Sequence, residues 1–515
     1  MLPINIQWTE FSVFLFLFAL VTVVGFLASR WRRGNLDLLD EWGLAGRRFG
    51  TFVTWFLLGG DLYTAYTFIA LPALVYGAGA IGFFAVPYTV VVYPIMFVVM
   101  PRLWRVSKQH GYVTPADFVR GRYDSSLLAL AVAITGIVAV MPYIALQLVG
   151  IQAVLAGMGL TGTGLTKDLP LIIAFAILAA YTYTSGLRAP ALTAVVKDTL
   201  IYITVIAAIL IIPAKLGGFG HIFNVASQVL PTRKGSVMLG PKAYSAFSTL
   251  ALGSAFALLL YPHTITGILS ARNGRTIQRN AALLPTYSLA LVLISLLGYM
   301  AIAAGINTKD ATMVVPLLFN MMFPKWFTGV AFAAIAIGAL VPASIMAISA
   351  ANLFTRNIYK EYMNTQATAK QESNVAKFVS LVVKLGAVLF VIGIPIQYAL
   401  YLQTLGGIWI LQTMPAVMGG LYTRWFHRGA LLIGWLGGMA TGTFMAAALQ
   451  FKSSVYPLVI GHTVFPIYAA VAAVIVNFAL AVVFTVIFNG MKVPAGNDHT
   501  QASDYLVEPE VAATQ

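Results

Sequence analysis

Long apolar stretches separated by short polar loops run through almost the whole chain. A helix needs about 20 apolar residues to cross the hydrocarbon core of a bilayer. Thirteen stretches meet or approach that length: 11–29, 50–77, 80–101, 125–157, 170–186, 190–213, 244–271, 282–304, 327–354, 376–398, 403–422, 430–450 and 464–489. None alternates apolar and polar positions at a period of two, so the pattern argues against a transmembrane barrel. The expected fold is an all-α integral membrane protein of about 13 transmembrane helices, one domain over residues 1–489. The polar, mildly acidic stretch 490–515 reads as a disordered tail, and Asn364–Ser373 as a flexible linker.

Composition excludes the soluble alternative. Of 515 residues, 60% are hydrophobic and 9% charged, against about 25% charged in a soluble domain. There is no cysteine, hence no disulfide framework, thiolate metal site or cysteine nucleophile. The net charge of +15 needs no nucleic acid to explain it, because basic loops orient helices at an anionic inner leaflet. Of the 31 Lys and Arg residues, 21 fall in one set of loops, eight in the other, and Lys197 and Lys384 inside spans. The richer set is expected in the cytoplasm, with the N-terminus outside and the C-terminus inside. The first apolar run is followed, not preceded, by arginines, so it reads as a retained helix rather than a cleaved signal.

Polar residues inside spans carry the functional expectation, because charge in hydrocarbon is costly. Asp61 stands in the second span within GGDLYTAYTFIALP. Gly59 and Gly60 weaken the helix ahead of it, and Tyr63, Thr64, Tyr66 and Thr67 follow within about one turn. Irregular backbone survives in a membrane only where it is buried or lines a wet cavity. The pattern predicts a broken helix whose freed carbonyls hold a cation and whose N-terminal end faces an anion. Tyr261-Pro262-His263 predicts a second break in the seventh span. Spans 2–6 and 7–11 then form five-plus-five inverted repeats. Asp198 is a candidate inner-vestibule residue, Lys197 is expected to reach the interface, and Lys384 to snorkel or pair. No Walker-type loop, zinc-spaced histidine pair or nucleophile elbow occurs, so neither an enzyme nor an organic cofactor is expected.

Several segments together resemble the sodium:solute symporter family: LAGRRFGTFVTWF, YVTPADFVRGRYDSSLLALA, YTYTSGLRAPALTAVVKD, YPHTITGILSARN, AANLFTRNIYKEY and GGLYTRWFHRGALLIGWLGG. Within it, GGDLYTAYTFIALPALVYGAGAIGFFAVPYT, MPRLWRVSKQHGYVTPADFVRGRY and MPYIALQLVGIQAV are most similar to bacterial monocarboxylate permeases. The resemblance implies the neurotransmitter-sodium-symporter-like fold, a bacterial inner membrane, and cation-driven uptake of pyruvate, lactate, acetate, propionate or alanine. A symporter for proline, pantothenate or urea, and a transport-inactive sensor, are the other readings. The expected substrate contacts are Thr64, Tyr66, Thr67, Gln147, Tyr261 and His263. The expected ion-coupling set is Gly60, Asp61, Tyr63, Ser344 and Asp198. The family's sodium ligands would match the carbonyls of Gly60 and Tyr63 and two hydroxyls at Val341 and Pro342, which carry none. Ser344 or Ser349 would have to replace them, and proton and sodium stand as rival coupling ions.

Overall fold

The computed structural model describes residues 6–32, 34–160, 165–393 and 401–506. It opens with α1 (Trp8–Leu27) and the short α2 (Leu39–Leu44). The second expected span is split into α3 (Thr51–Gly60), an irregular stretch, a wide turn at Tyr66–Ala70 and α4 (Leu71–Ala78). Then come α5 (Ala85–His110), α6 (Pro115–Tyr123), α7 (Ser126–Gly157), α8 (Leu165–Ser185), α9 (Arg188–Lys215) and α10 (Gly218–Val229). The seventh expected span divides at Tyr261 into α11 (Tyr244–Leu260) and α12 (Pro262–Leu269). The eighth bends through α13 (Gly274–Leu283), α14 (Pro285–Ser295) and α15 (Leu297–Ala303), and α16 (Val314–Met322) leads to α17 (Lys325–Phe354). α18 (Ala369–Gly393), α19 (Leu402–Ile410), α20 (Gly420–Tyr422), α21 (Arg428–Ala448) and α22 (Ala469–Gly490) complete the helices.

Among the described residues, ten helices are long and apolar enough to cross a membrane. The second, fifth and eleventh expected spans contribute shorter or interrupted helices instead. The core gathers around α17, which is buried at every position from Ala331 to Leu353. That stretch is rich in Ala, Gly and Ser, and small side chains let α1, α7, α9, α12 and α18 approach closely.

Three expectations on the loops are corrected. Residues 464–468, read as the start of the last span, belong instead to β2 (Thr463–Tyr468), which pairs antiparallel with β1 (Val455–Ile460). Both strands are rich in β-branched and aromatic residues, and the two-residue turn Gly461-His462 suits a hairpin. Asn364–Ser373 is not a free linker: helix begins at Ala369, Glu372 and Ser373 are buried, and Glu372 receives Arg356 at 3.1 Å and also Lys360. Residues 491–506 of the expected disordered tail lie against the protein, with Thr500 and Tyr505 buried. Residues 394–398 of the tenth expected span and 507–515 of the tail fall outside the described residues.

Candidate functional site

The first break follows from its sequence. α3 ends at Gly60, and the Leu62 amide reaches only back to the Gly59 carbonyl, at 3.0 Å. Thr67 then rebuilds the chain: its hydroxyl accepts from the Thr64 amide at 2.8 Å and donates to the Thr64 carbonyl at 2.7 Å. The Thr64 hydroxyl accepts from the Tyr66 amide at 3.0 Å. Gln147 of α7 accepts from the Ala65 amide at 3.0 Å and donates to the Tyr143 carbonyl at 3.3 Å. Thr64, Thr67 and Gln147 are thus brought together, with their side chains bound to the backbone of the break and its neighbour. At the second break, Tyr261 is extended, Pro262 opens α12, and the Tyr261 hydroxyl donates to the Gln403 carbonyl at 2.9 Å.

The two breaks meet at Asp61. Its Oδ2 lies 3.3 Å from His263 Nε2 and accepts from the Thr264 hydroxyl, also at 3.3 Å. The His263 ring packs between Tyr143 and Tyr261, with centroids 5.5 and 5.1 Å away. Asp61 Oδ1, His263 Nδ1 and the Tyr66 hydroxyl are buried without a hydrogen-bond partner. Unpartnered buried polar atoms are costly, so a cluster of them invites a ligand. A void of about 20 Å³ beside Asp61, bordered by Leu62, Tyr93, Met96 and Thr264, has room for about one water.

Lys197 is the largest departure from expectation. It does not reach an interface; it is fully buried. It stands nine residues into α9, about 13 Å along the axis, and its ammonium turns into the bundle. It donates to the Gly60 carbonyl and, at 3.2 Å, to the Tyr63 carbonyl, and pairs with Asp198 Oδ1 at 2.9 Å. The Asp198 Oδ2 accepts from the Tyr287 hydroxyl at 2.9 Å, and the Tyr63 hydroxyl donates to the Tyr287 carbonyl at 3.0 Å. Gly60 permits this approach, because a Cβ there would sit 2.8 Å from Lys197 Nζ. Asp198 and the carbonyls of Gly60 and Tyr63 are thus brought together around the Lys197 ammonium. Ser344 is engaged elsewhere: it donates to the Leu340 carbonyl at 3.2 Å and accepts from Thr182 at 3.4 Å. Ser349 donates to Met346 at 2.8 Å. Lys384 is buried and donates to Ser380 at 3.1 Å.

Tyr143, Thr264 and Tyr287 were not anticipated, since lone hydroxyls on apolar helices give no sequence signal. A second missed cluster lies where the arginine-rich loops converge. The Thr114-Pro-Ala-Asp117 start of α6 forms a capping box, whose spacing was visible in the sequence. Asp117 also accepts from the Val113 amide at 2.9 Å and from Asn357 at 2.8 Å, and pairs with Arg356 at 3.5 Å. Arg120 meets Glu361 at 2.8 Å. A polar cavity of about 290 Å³ lies among Asp117, Arg120, Ser126, Arg356 and Lys360.

Comparison with known proteins gives this geometry a context. Residues 42–437 match the description of the sodium:solute symporter family. A protein of Rhizobium johnstonii called "Monocarboxylate transport permease protein" is 55% identical over 93% of this chain and 97% of its own. The symporter YodF of Bacillus subtilis is 34% identical over 85% of this chain and 87% of its own. Among solved structures, a Na+-coupled sialic acid symporter shares the fold, with a TM-score of 0.76 at 16% identity, covering 93% of this chain and 98% of that one.

Proposed function

Because the chain belongs to the sodium:solute symporter family, we propose that it imports small monocarboxylates, with pyruvate, lactate, acetate, propionate and alanine as the candidate solutes. It is a transporter, not an enzyme. The observation that carries the substrate class is the 55% identity to a monocarboxylate permease over nearly the full length of both chains. The centre supports the reading. Asp61, Tyr66 and His263 leave buried polar atoms unpartnered between two broken helices, and half-helix ends are where transporters hold small charged solutes.

The proposed arrangement is thirteen spans in a bacterial inner membrane, the second to sixth and seventh to eleventh as inverted repeats, with the arginine-rich end in the cytoplasm. Residues 1–489 form the transport domain. Tyr66 and His263 contact the solute. Thr64, Thr67, Gln147 and Tyr261 shape its pocket through the backbone they hold. The driving cation is a proton or sodium.

Counterflow in proteoliposomes tests the substrate without any ion gradient. Vesicles loaded with unlabelled pyruvate should take up labelled pyruvate. External lactate or propionate should compete, and proline, pantothenate or urea should not. Competition by proline alone would replace this reading with the other-solute one.

A further inference from the structure

Freed carbonyls at a helix break in a membrane are a cation site by their chemistry. At the first break that site is already filled by the chain. An ammonium has three N–H donors; Lys197 gives hydrogen bonds to Gly60 O and Tyr63 O and lies 2.9 Å from Asp198 Oδ1 as an ion pair. The ammonium thus occupies the oxygens a metal ion would use. A sodium ion at the same carbonyls would have to displace the ammonium and leave two positive charges side by side in a dry interior. α17 adds no side-chain hydroxyl to attract one at its point of approach. It nears the Tyr63 carbonyl at Gly338, where a Cβ would lie 3.7 Å from that oxygen, and Ala339, Leu340, Val341 and Pro342 have no hydroxyl.

We infer that Lys197 is a tethered cation standing where a sodium ion would bind, so that the protein is a sodium-independent symporter moving one proton with each monocarboxylate. The inference rests on the symport reading above. The charges of the cluster give the ratio. Lys197 carries +1 and Asp198 and Asp61 carry −1 each, with His263 neutral, for a sum of −1. A monocarboxylate alone would make it −2. A monocarboxylate arriving with one proton restores −1. Asp61 is the place for that proton, because its Oδ1 is buried beside His263 and has no hydrogen-bond partner.

The titratable groups facing this cluster come from several elements. They are Asp198 and Tyr202 of α9, Asp61 and Tyr63 at the first break, Tyr88 and Tyr93 of α5, Tyr143 of α7, His263 of α12 and Tyr287 of α14. Of the other helices packed on α9, the buried stretch of α17 has no titratable residue, and Glu10 of α1 pairs with Lys325 at 2.8 Å.

The test uses the purified full chain. In proteoliposomes free of sodium, an inside-alkaline gradient of about one pH unit should drive up to about tenfold pyruvate accumulation. Adding an inward sodium gradient should leave it unchanged, and so should a potassium diffusion potential, because the proposed cycle moves no net charge. Melting temperature gives a readout that needs no substrate. The wild type should melt alike in sodium and choline chloride. Lys197→Ala leaves two carbonyls and Asp198 as an open oxygen site, and sodium should stabilise this variant. Asp198→Asn in the same background should cancel the sodium effect. A wild type that needs sodium for uptake, or that sodium stabilises, overturns the inference. So does pH-driven accumulation that survives undiminished in Lys197→Ala. If that variant does not fold, the wild-type measurements decide alone. Absent pyruvate counterflow would refute the substrate reading, while the sodium melts would still judge the lysine.

Discussion

Thr67 shows how a residue that looks like a ligand serves the backbone. Its hydroxyl bridges the Thr64 amide and carbonyl, so Thr67→Val strands a buried N–H, which costs about 1–3 kcal/mol. The variant should melt earlier than wild type and Thr67→Ser should not, and equal melting of all three would refute the assignment. Asp61 is the opposite case, a side chain with an oxygen to spare. Asp61→Asn keeps the size and the partners but removes the proton site. It should abolish uphill uptake driven by a pH gradient while exchange persists at a lower rate, and full gradient-driven accumulation would count against it. Both residues stood out in the sequence because polar groups in an apolar run are conspicuous. Lys197 is equally conspicuous in the sequence, yet its position alone does not give its partners. Position in a span tells how deep a charge lies, and not which neighbour it faces. Its carbonyl partners lie 137 and 134 residues away.

Elements were legible wherever local chemistry decides them. Gly59-Gly60 and Tyr261-Pro262 marked both helix breaks, since glycine and proline act on their own turn. The β1–β2 hairpin was lost because its apolar residues ran on into those of α22. The start of α18 was lost because AKQES is polar, and what holds it is remote: Arg356 and Lys360 meet Glu372, and Ser373 donates to the Leu36 carbonyl at 2.7 Å. The cap of α6 is both local and remote. Asp117 closes its own helix and also ties it to Asn357 and Arg356 beyond α17. A shared acid of this kind locks two elements together at the arginine-rich end. Asp117→Ala should release Asn357 and Arg356 and cost about 3 kcal/mol, the lower part of the range for stripping one partner from a buried ion pair. Because the chain has no cysteine, a single Ser126→Cys probe reports on this cavity cleanly. Its maleimide labelling should speed up when Asp117→Ala is added, and an unchanged rate would show that the acid is not a lock.

At the scale of the whole molecule, the tail joins the same end. Arg122 and Arg424 both hold Asp498, at 2.8 and 3.2 Å, and His110 meets Asp504 at 2.7 Å. Burial pushes the Asp504 carboxyl up, but the Gln501 amide and His110 outweigh it and hold its pKa below the usual value. A lowered acid contributes stability that is present above its unfolded value and is lost as pH falls through the lower folded one, so this contribution of Asp504 is in place at neutral pH and fades in acid. Composition implies a polar tail but not its contacts, since the basic residues that hold it, His110, Arg122 and Arg424, come from two loops far apart in sequence. The same clustering makes orientation a single question. The loops carrying Arg47, Arg122, Arg356 and Arg424 converge on one end with the tail, while the Tyr76 hydroxyl binds the Ile306 carbonyl and Arg233 the Tyr76 carbonyl at the other. In the proposed topology, the bias of basic residues puts the tail in the cytoplasm. Lys309, Lys370 and Ser503 are exposed, so single cysteines there can be read with a membrane-impermeant maleimide. In intact cells Lys309→Cys should be labelled at once. Lys370→Cys and Ser503→Cys should react only after the cells are opened. The reverse pattern would turn the molecule over, and labelling of Lys370→Cys and Ser503→Cys from opposite sides would break the shared end on which the thirteen-span topology depends.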